Sequence, residues 1–151
     1  MKLSTRGRYG LRAMIDLAVH SLEGAVSISS IAARQELSES YLEQLMSKLK
    51  KAGLIISVRG AQGGYLLARS ADNISVGDVL RALEGDLNPV VCAAISGHSA
   101  CNSEDTCVTK YVWKKISESI NDAVDGIPLS ELIEESLRVG ADAKQKRNCA
   151  L

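Results

Sequence analysis

The chain has 151 residues, 46% of them hydrophobic, enough to bury one core and a small appended element but not two full domains. No run of about 18 uncharged apolar residues exists, and MKLSTRGRYG carries no apolar stretch directly behind its basic residues; the expectation is a cytoplasmic protein with neither membrane span nor secretory leader. The 18 basic and 18 acidic residues cancel overall, yet residues 1–70 hold ten Lys/Arg against five Asp/Glu and residues 71–151 hold eight against thirteen, so an electrostatic footprint for a polyanion belongs to the first half.

In chain order, Leu11, Met14, Ile15, Ala18, Val19 and Leu22 recur at three- and four-residue steps and predict an amphipathic helix that Gly24 breaks. Ser27 suits the N-cap of a second, shorter helix, and Ser38 or Ser40 that of a third running through YLEQLMSKLKKA to Gly53. Two short helices about a polar turn predict a helix-turn-helix. LIISV, the turn RGAQGG and YLLAR then read as a β-hairpin with a glycine-rich tip, the order of a winged helix. Ser75 and Asp78 open a further helix through VGDVLRALEG. From Val108 onward, Val112, Ile116, Ile120 and Val124 step by four, a narrow apolar stripe suited to a dimer seam on a helix ending near Gly126. Pro128 marks the first turn of a last helix, IPLSELIEESLRV, and the polar remainder reads as disordered.

On the third predicted helix Leu42, Leu45, Met46 and Leu49 share one face, and Ser40, Glu43, Gln44, Ser47, Lys48 and Lys51 the other. In a major groove Gln bonds adenine, Glu accepts from cytosine N4 and Ser pairs either way, while Lys48, Lys50 and Lys51 would meet phosphates. The same face also reads as a solvated surface with Ser40 and Glu43 as a capping box. Arg59, at the edge of the hairpin tip, is placed to enter a narrow minor groove.

Cys92, Cys101 and Cys107 fall within sixteen residues as C-x8-C-x5-C, too wide for the paired knuckles of structural zinc. A reducing compartment argues against disulfides, so either cluster chemistry or a set of buried reduced thiols explains them. A [2Fe-2S] cluster needs four protein ligands, which leaves one position to a histidine, a carboxylate or another donor. Cys149, in the polar tail, is excluded from the site. No Ser-His-Asp set or phosphate-binding Gly-Lys motif exists, and the only imidazoles are His20 and His98, so catalysis is not expected.

The expected fold is mainly α with a small β-hairpin: a winged helix-turn-helix domain over 1–84, a cluster-binding loop over 85–107, a dimerisation helix and C-terminal helix over 108–138, and a disordered tail over 139–151. The segments LSTRGRYGLRAMIDLA, SESYLEQLMSKLKKAGLIISVRG and GGYLLAR, with the three cysteines, resemble the IscR family of winged-helix regulators, whose superfamily includes NsrR and CymR. The resemblance implies a bacterial homodimer that represses the iron-sulfur cluster assembly operon when it carries a [2Fe-2S] cluster, bound to double-stranded operator DNA and supplied by assembly or scaffold proteins. Cluster loss in that family changes which promoters are bound. Cys92, Cys101 and Cys107 match the family's cysteine ligands, Ser40, Glu43 and Gln44 its base-reading positions, and Arg59 its wing arginine. Glu43 would discriminate between promoter classes by disfavouring some bases.

Two positions depart from the family. Lys110 stands where the family has a histidine ligand, which leaves the fourth position to His98, to Glu43, or to an external or solvent donor. Related nitric oxide sensors use a carboxylate near residue 8, where this chain has Arg8. Gln62 replaces a common wing glycine, with little consequence expected. A nitric oxide or redox sensor of the same fold is the nearest rival function, and an iron-sulfur electron-transfer or carrier protein a rival from another class.

Overall fold

The computed structural model describes residues 4–90 and 106–148, with residues 142–148 described as backbone only. Helix α1 (Thr5–His20) starts at Ser4, whose side chain accepts from the Arg6 N–H, and passes through a 3-10 turn, Ser21–Glu23, to Gly24. Helices α2 (Ile28–Gln35) and α3 (Glu39–Lys51) are capped by Ser27 and Ser38, whose hydroxyls accept from the backbone of Ser30 and Tyr41. Ser38 has the extended backbone an N-cap requires, whereas Ser40 lies inside the helix, so the alternative capping box of Ser40 with Glu43 does not form. Between α2 and α3 the chain reverses at Glu36, a non-glycine residue in the left-handed region with φ 55°.

Strands β1 (Ile55–Val58) and β2 (Gly64–Leu67) pair antiparallel, Ile55 opposite Leu67 and Val58 opposite Gly64. Val26 adds a bridge on the far side of Tyr65, each N–H donating to the other's carbonyl at 2.9 and 3.0 Å. Gly64 makes this possible, because a Cβ there would run into the Val26 carbonyl. At the hairpin tip Gly60 takes φ 112° while Gln62 needs no positive φ, which is why a side chain is tolerated at that position.

Helix α4 (Val76–Glu84) opens on the Ser75–Asp78 capping box, and α5 (Thr109–Asp125) and α6 (Leu129–Asn148) follow. The core joins Met14 and Leu17 of α1, Ile31 of α2, Leu42, Leu45, Met46 and Leu49 of α3, Ile55 of β1, and Val79 and Leu83 of α4. Leu129 is fully buried in it, held by its N–H donating to the Ile74 carbonyl at 2.7 Å, so the first turn of α6 completes the core of the N-terminal half. Gly10 lets α1 and α4 approach so closely that any Cβ would collide with the Leu83 side chain.

Two features differ from the sequence reading. The last helix does not give way to disorder at 139 but continues to Asn148, since Ala141 to Arg147 is rich in the strong helix formers Ala, Lys, Gln and Arg. The apolar stripe of α5 is divided: Ile120 and Val124 pack within the chain on Val76, Leu80 and Leu87, while Val112 and Ile116, with Tyr111 and Val108, remain exposed. Among the described residues no helix is long and apolar enough to cross a membrane.

Candidate nucleic-acid interface and cysteine segment

The presented face of α3 follows from its burial pattern. Leu42, Leu45, Met46 and Leu49 are sealed into the core, which turns Ser40, Glu43, Gln44 and Ser47 to solvent together. Arg59 is exposed where β1 meets the hairpin tip. Of the three lysines expected at phosphates, Lys48 and Lys50 are exposed and also have protein partners: Lys50 Nζ donates to Ser57 Oγ at 2.7 Å, and Lys48 Nζ to the Leu83 carbonyl at 3.3 Å. Lys51 is exposed.

A polar network absent from the sequence reading holds the helix-turn-helix on α1. The Asp16 carboxylate is 4% exposed and accepts from Arg34 Nη2 at 2.6 Å, from Arg34 Nε at 3.0 Å and from Gln35 Nε2 at 2.9 Å. These hydrogen bonds from Arg34 to Asp16 raise the guanidinium's pKa above its ordinary value, against the opposing effect of burial. Arg12 extends the network, donating to Gln35 Oε1 at 3.0 Å and lying 5.5 Å over the Tyr9 ring, which meets Tyr41 of α3 edge-on. His20 Nδ1 lies 2.8 Å from the Asp16 carbonyl, a local helix-end contact and not a ligand position. The available signal was Asp16 itself, a carboxylate set among Met14, Ile15, Leu17 and Ala18 on a helix face that must be buried.

The end of α4 carries a second network. Glu84 Oε1 accepts from Ser4 N–H at 3.0 Å, from Gly7 N–H at 2.8 Å and from the Ser4 hydroxyl, closing the N-terminus of α1, with Arg6 nearby at 3.8 Å. Burial opposes ionisation of Glu84, but the Ser4 hydroxyl and the two backbone donors outweigh it and hold the carboxyl below the usual carboxylate range. A folded pKa below the unfolded one stabilises the fold above the usual carboxylate value and stops doing so as pH falls through the folded value. Glu84→Gln should therefore cost about 1 kcal/mol near neutrality, a typical capping loss. Denaturant titrations at falling pH should show the gap to the unsubstituted chain closing in the acid range; a gap constant with pH would contradict the assignment.

Of the three candidate cluster ligands, Cys92 and Cys101 lie outside the described residues, as does His98. Cys107 lies two residues before α5, its Sγ 3.1 Å from Thr109 Oγ1. The Thr109 hydroxyl foremost, then the Lys110 N–H and, more weakly, the Lys110 charge, lower the thiol pKa and favour the thiolate. Among the described residues no three His, Cys, Asp or Glu side chains converge as a metal site. Arg8 and Glu43 are both exposed, and Lys110 sits in the first turn of α5.

A buried helix-turn-helix scaffold that turns one polar helix face outward beside an exposed, arginine-bearing hairpin defines a winged-helix DNA-binding regulator. Comparison with known proteins gives the lineage: the model of the Rrf2 family, described as an iron-dependent transcriptional regulator, matches residues 3–135, and the chain belongs to that family. The HTH-type transcriptional regulator IscR of Erwinia tasmaniensis is 43% identical over 143 residues, 94% of this chain and 85% of that one. Among solved structures, IscR of T. potens shares 49% identity with a TM-score of 0.72, covering 90% of this chain and 88% of that one. CymR, the global cysteine regulator of B. subtilis, shares 41% identity with a TM-score of 0.72, covering 89% and 98%. The chain is thus a transcription regulator of the IscR type and not an enzyme.

Proposed function

We propose that the chain is a cytoplasmic, homodimeric, iron-sulfur-cluster-sensing regulator that, when loaded with a [2Fe-2S] cluster, represses the operon for cluster assembly. Assembly or scaffold proteins would supply the cluster, completing a feedback loop. The observation that carries the reading is the coexistence of the exposed face Ser40–Glu43–Gln44 with Cys107 at the head of the helix that leaves the DNA-binding half. Relatives named IscR support it.

Cys92, Cys101 and Cys107 would hold the group, and the fourth ligand would be His98, Glu43 or an external donor. The donor chemistry at Cys107 fits, because the hydrogen-bonded, positively flanked thiol is shifted toward the form that binds iron. Bound there, the group would supply a site sensitive to oxidants and to iron supply. The exposed residues Tyr111, Val112 and Ile116 on α5, with Val108 just before it, would form the seam with a second copy. Ser40, Gln44 and Arg59 would read operator DNA, and Glu43 would reject bases that offer it no donor.

Glu43 gives the test of base reading. Duplexes selected from a randomised pool by the iron-loaded chain and by a cysteine-free variant provide two operator classes. Glu43→Ala in the cysteine-free background should gain roughly tenfold affinity for the first class, the worth of one discriminated base pair. An unchanged preference would remove Glu43 from promoter discrimination.

A further inference from the structure

Lys48 was expected at a phosphate, and the structure gives it a different partner. It lies one and two helical turns along α3 from Gln44 and Ser40, in a single row at four-residue spacing. Its ammonium donates to the Leu83 carbonyl at 3.3 Å, in the last turn of α4, where carbonyls lack intrahelical donors and the helix dipole is negative.

The end of α4 is a junction. The Leu83 side chain fills the space that Gly10 leaves on α1, and Glu84 closes the N-terminus of α1. Arg81, one turn earlier, donates to Asn121 Oδ1 of α5 at 2.9 Å, and Asn88, four residues past the helix, bonds Ser117 of α5. The helix headed by Cys107, α5, is held to this junction by those two contacts. Among the described residues Lys48 is a polar attachment of the recognition helix there.

We infer that Lys48 is a positioning residue: by fastening α3 to the end of α4 it links the position of α5, the helix headed by Cys107, to Gln44 and Ser40, and it does not serve as a phosphate contact. The inference rests on the cluster-sensing reading above. A phosphate contact and a link between helices differ in one measurable quantity, since each neutralised phosphate adds close to one unit to the slope of log affinity against log salt.

The experiment compares the full-length chain with Lys48→Met and Lys48→Arg, each in iron-loaded form and in the Cys92→Ala/Cys101→Ala/Cys107→Ala background, on the two selected duplex classes. Lys48→Met should leave the salt slope unchanged in both backgrounds and should shrink the affinity ratio between loaded and cysteine-free protein on the first class by at least about fivefold, the usual scale of coupling between sites. Lys48→Arg, which keeps a cationic donor, should restore the ratio. If Lys48→Met unfolds, Lys48→Gln supplies the same comparison. A slope lowered by about one unit with the ratio preserved would make Lys48 a phosphate contact and overturn the inference. A preserved ratio with an unchanged slope overturns it too. A chain with native Lys48 whose loaded and cysteine-free forms bind both classes alike overturns the cluster-sensing reading and this inference with it.

Discussion

Replacing Cys92, Cys101 and Cys107 together by alanine should abolish bound iron and visible absorption and weaken binding to cluster-dependent operators by roughly 5- to 150-fold, the range spanned by typical couplings between sites. Binding to cluster-independent operators should persist. The fold provides the reason for expecting a selective loss. The core that positions α3 is built from residues of α1, α2, α3, β1, α4 and the first turn of α6, and no cysteine contributes to it among the described residues. Cys107 is only partly buried, at the head of α5, so its truncation opens no cavity under the recognition helix. Gel-shift titration on both operator classes reads the outcome. A uniform loss at every site, accompanied by a lower unfolding midpoint, would mean that the cysteines are structural and not sensory.

Arg34→Met should be among the most destabilising single substitutions in the chain, costing about 3 kcal/mol and roughly 10 °C in midpoint. The Asp16 carboxylate is 4% exposed and draws three of its hydrogen bonds from Arg34; among the described residues, removing the guanidinium leaves it the Gln35 side-chain donor, with His20 Nδ1 3.7 Å away. Breaking a fully buried pair from one side costs up to about 5 kcal/mol, and the 35% exposure of the Arg34 side chain places this pair at the low end. The double variant Asp16→Leu/Arg34→Met, which removes the stranded charge as well, should recover at least half of the loss. Denaturant unfolding of the three proteins decides the matter: an Arg34→Met cost below about 0.5 kcal/mol would place the pair among surface ion pairs of little consequence.

The sequence made the winged helix legible wherever local chemistry and hydrophobic period agree. Ser27, Ser75 with Asp78, Gly24 and the RGAQGG tip are caps and turns whose residues leave few alternatives, and the inward leucines of α3 fix its outward face by themselves. Features that depend on tertiary partners were not legible. Glu36 occupies a left-handed position that glycine usually marks, so no local signal fixed the end of α2, although the serine cap of the third helix placed the turn itself. Choosing Ser38 over Ser40 as the cap required the backbone angles of the turn.

Lys48 and Lys50 look like free cations on a helical wheel, and only the placement of α4 and β1 supplies their partners. The α5 stripe reads as one seam because its period is continuous, yet α4 claims its C-terminal half for the chain's own second cluster. Helix α6 was cut short because its polar continuation beyond Val139 carries no apolar period to follow. The cysteine spacing pointed to cluster chemistry, and of the three residues only Cys107 lies among those described.

The most direct test of cluster sensing is to purify the full chain without oxygen, count iron and acid-labile sulfide per chain, and record its visible absorption and electron paramagnetic resonance. The expected result is a red-brown protein with about two irons and two sulfides per chain, as a [2Fe-2S] centre requires. A colourless protein that stays free of iron after incubation with iron and sulfide would contradict it, leaving a winged-helix regulator whose DNA binding answers to no cluster.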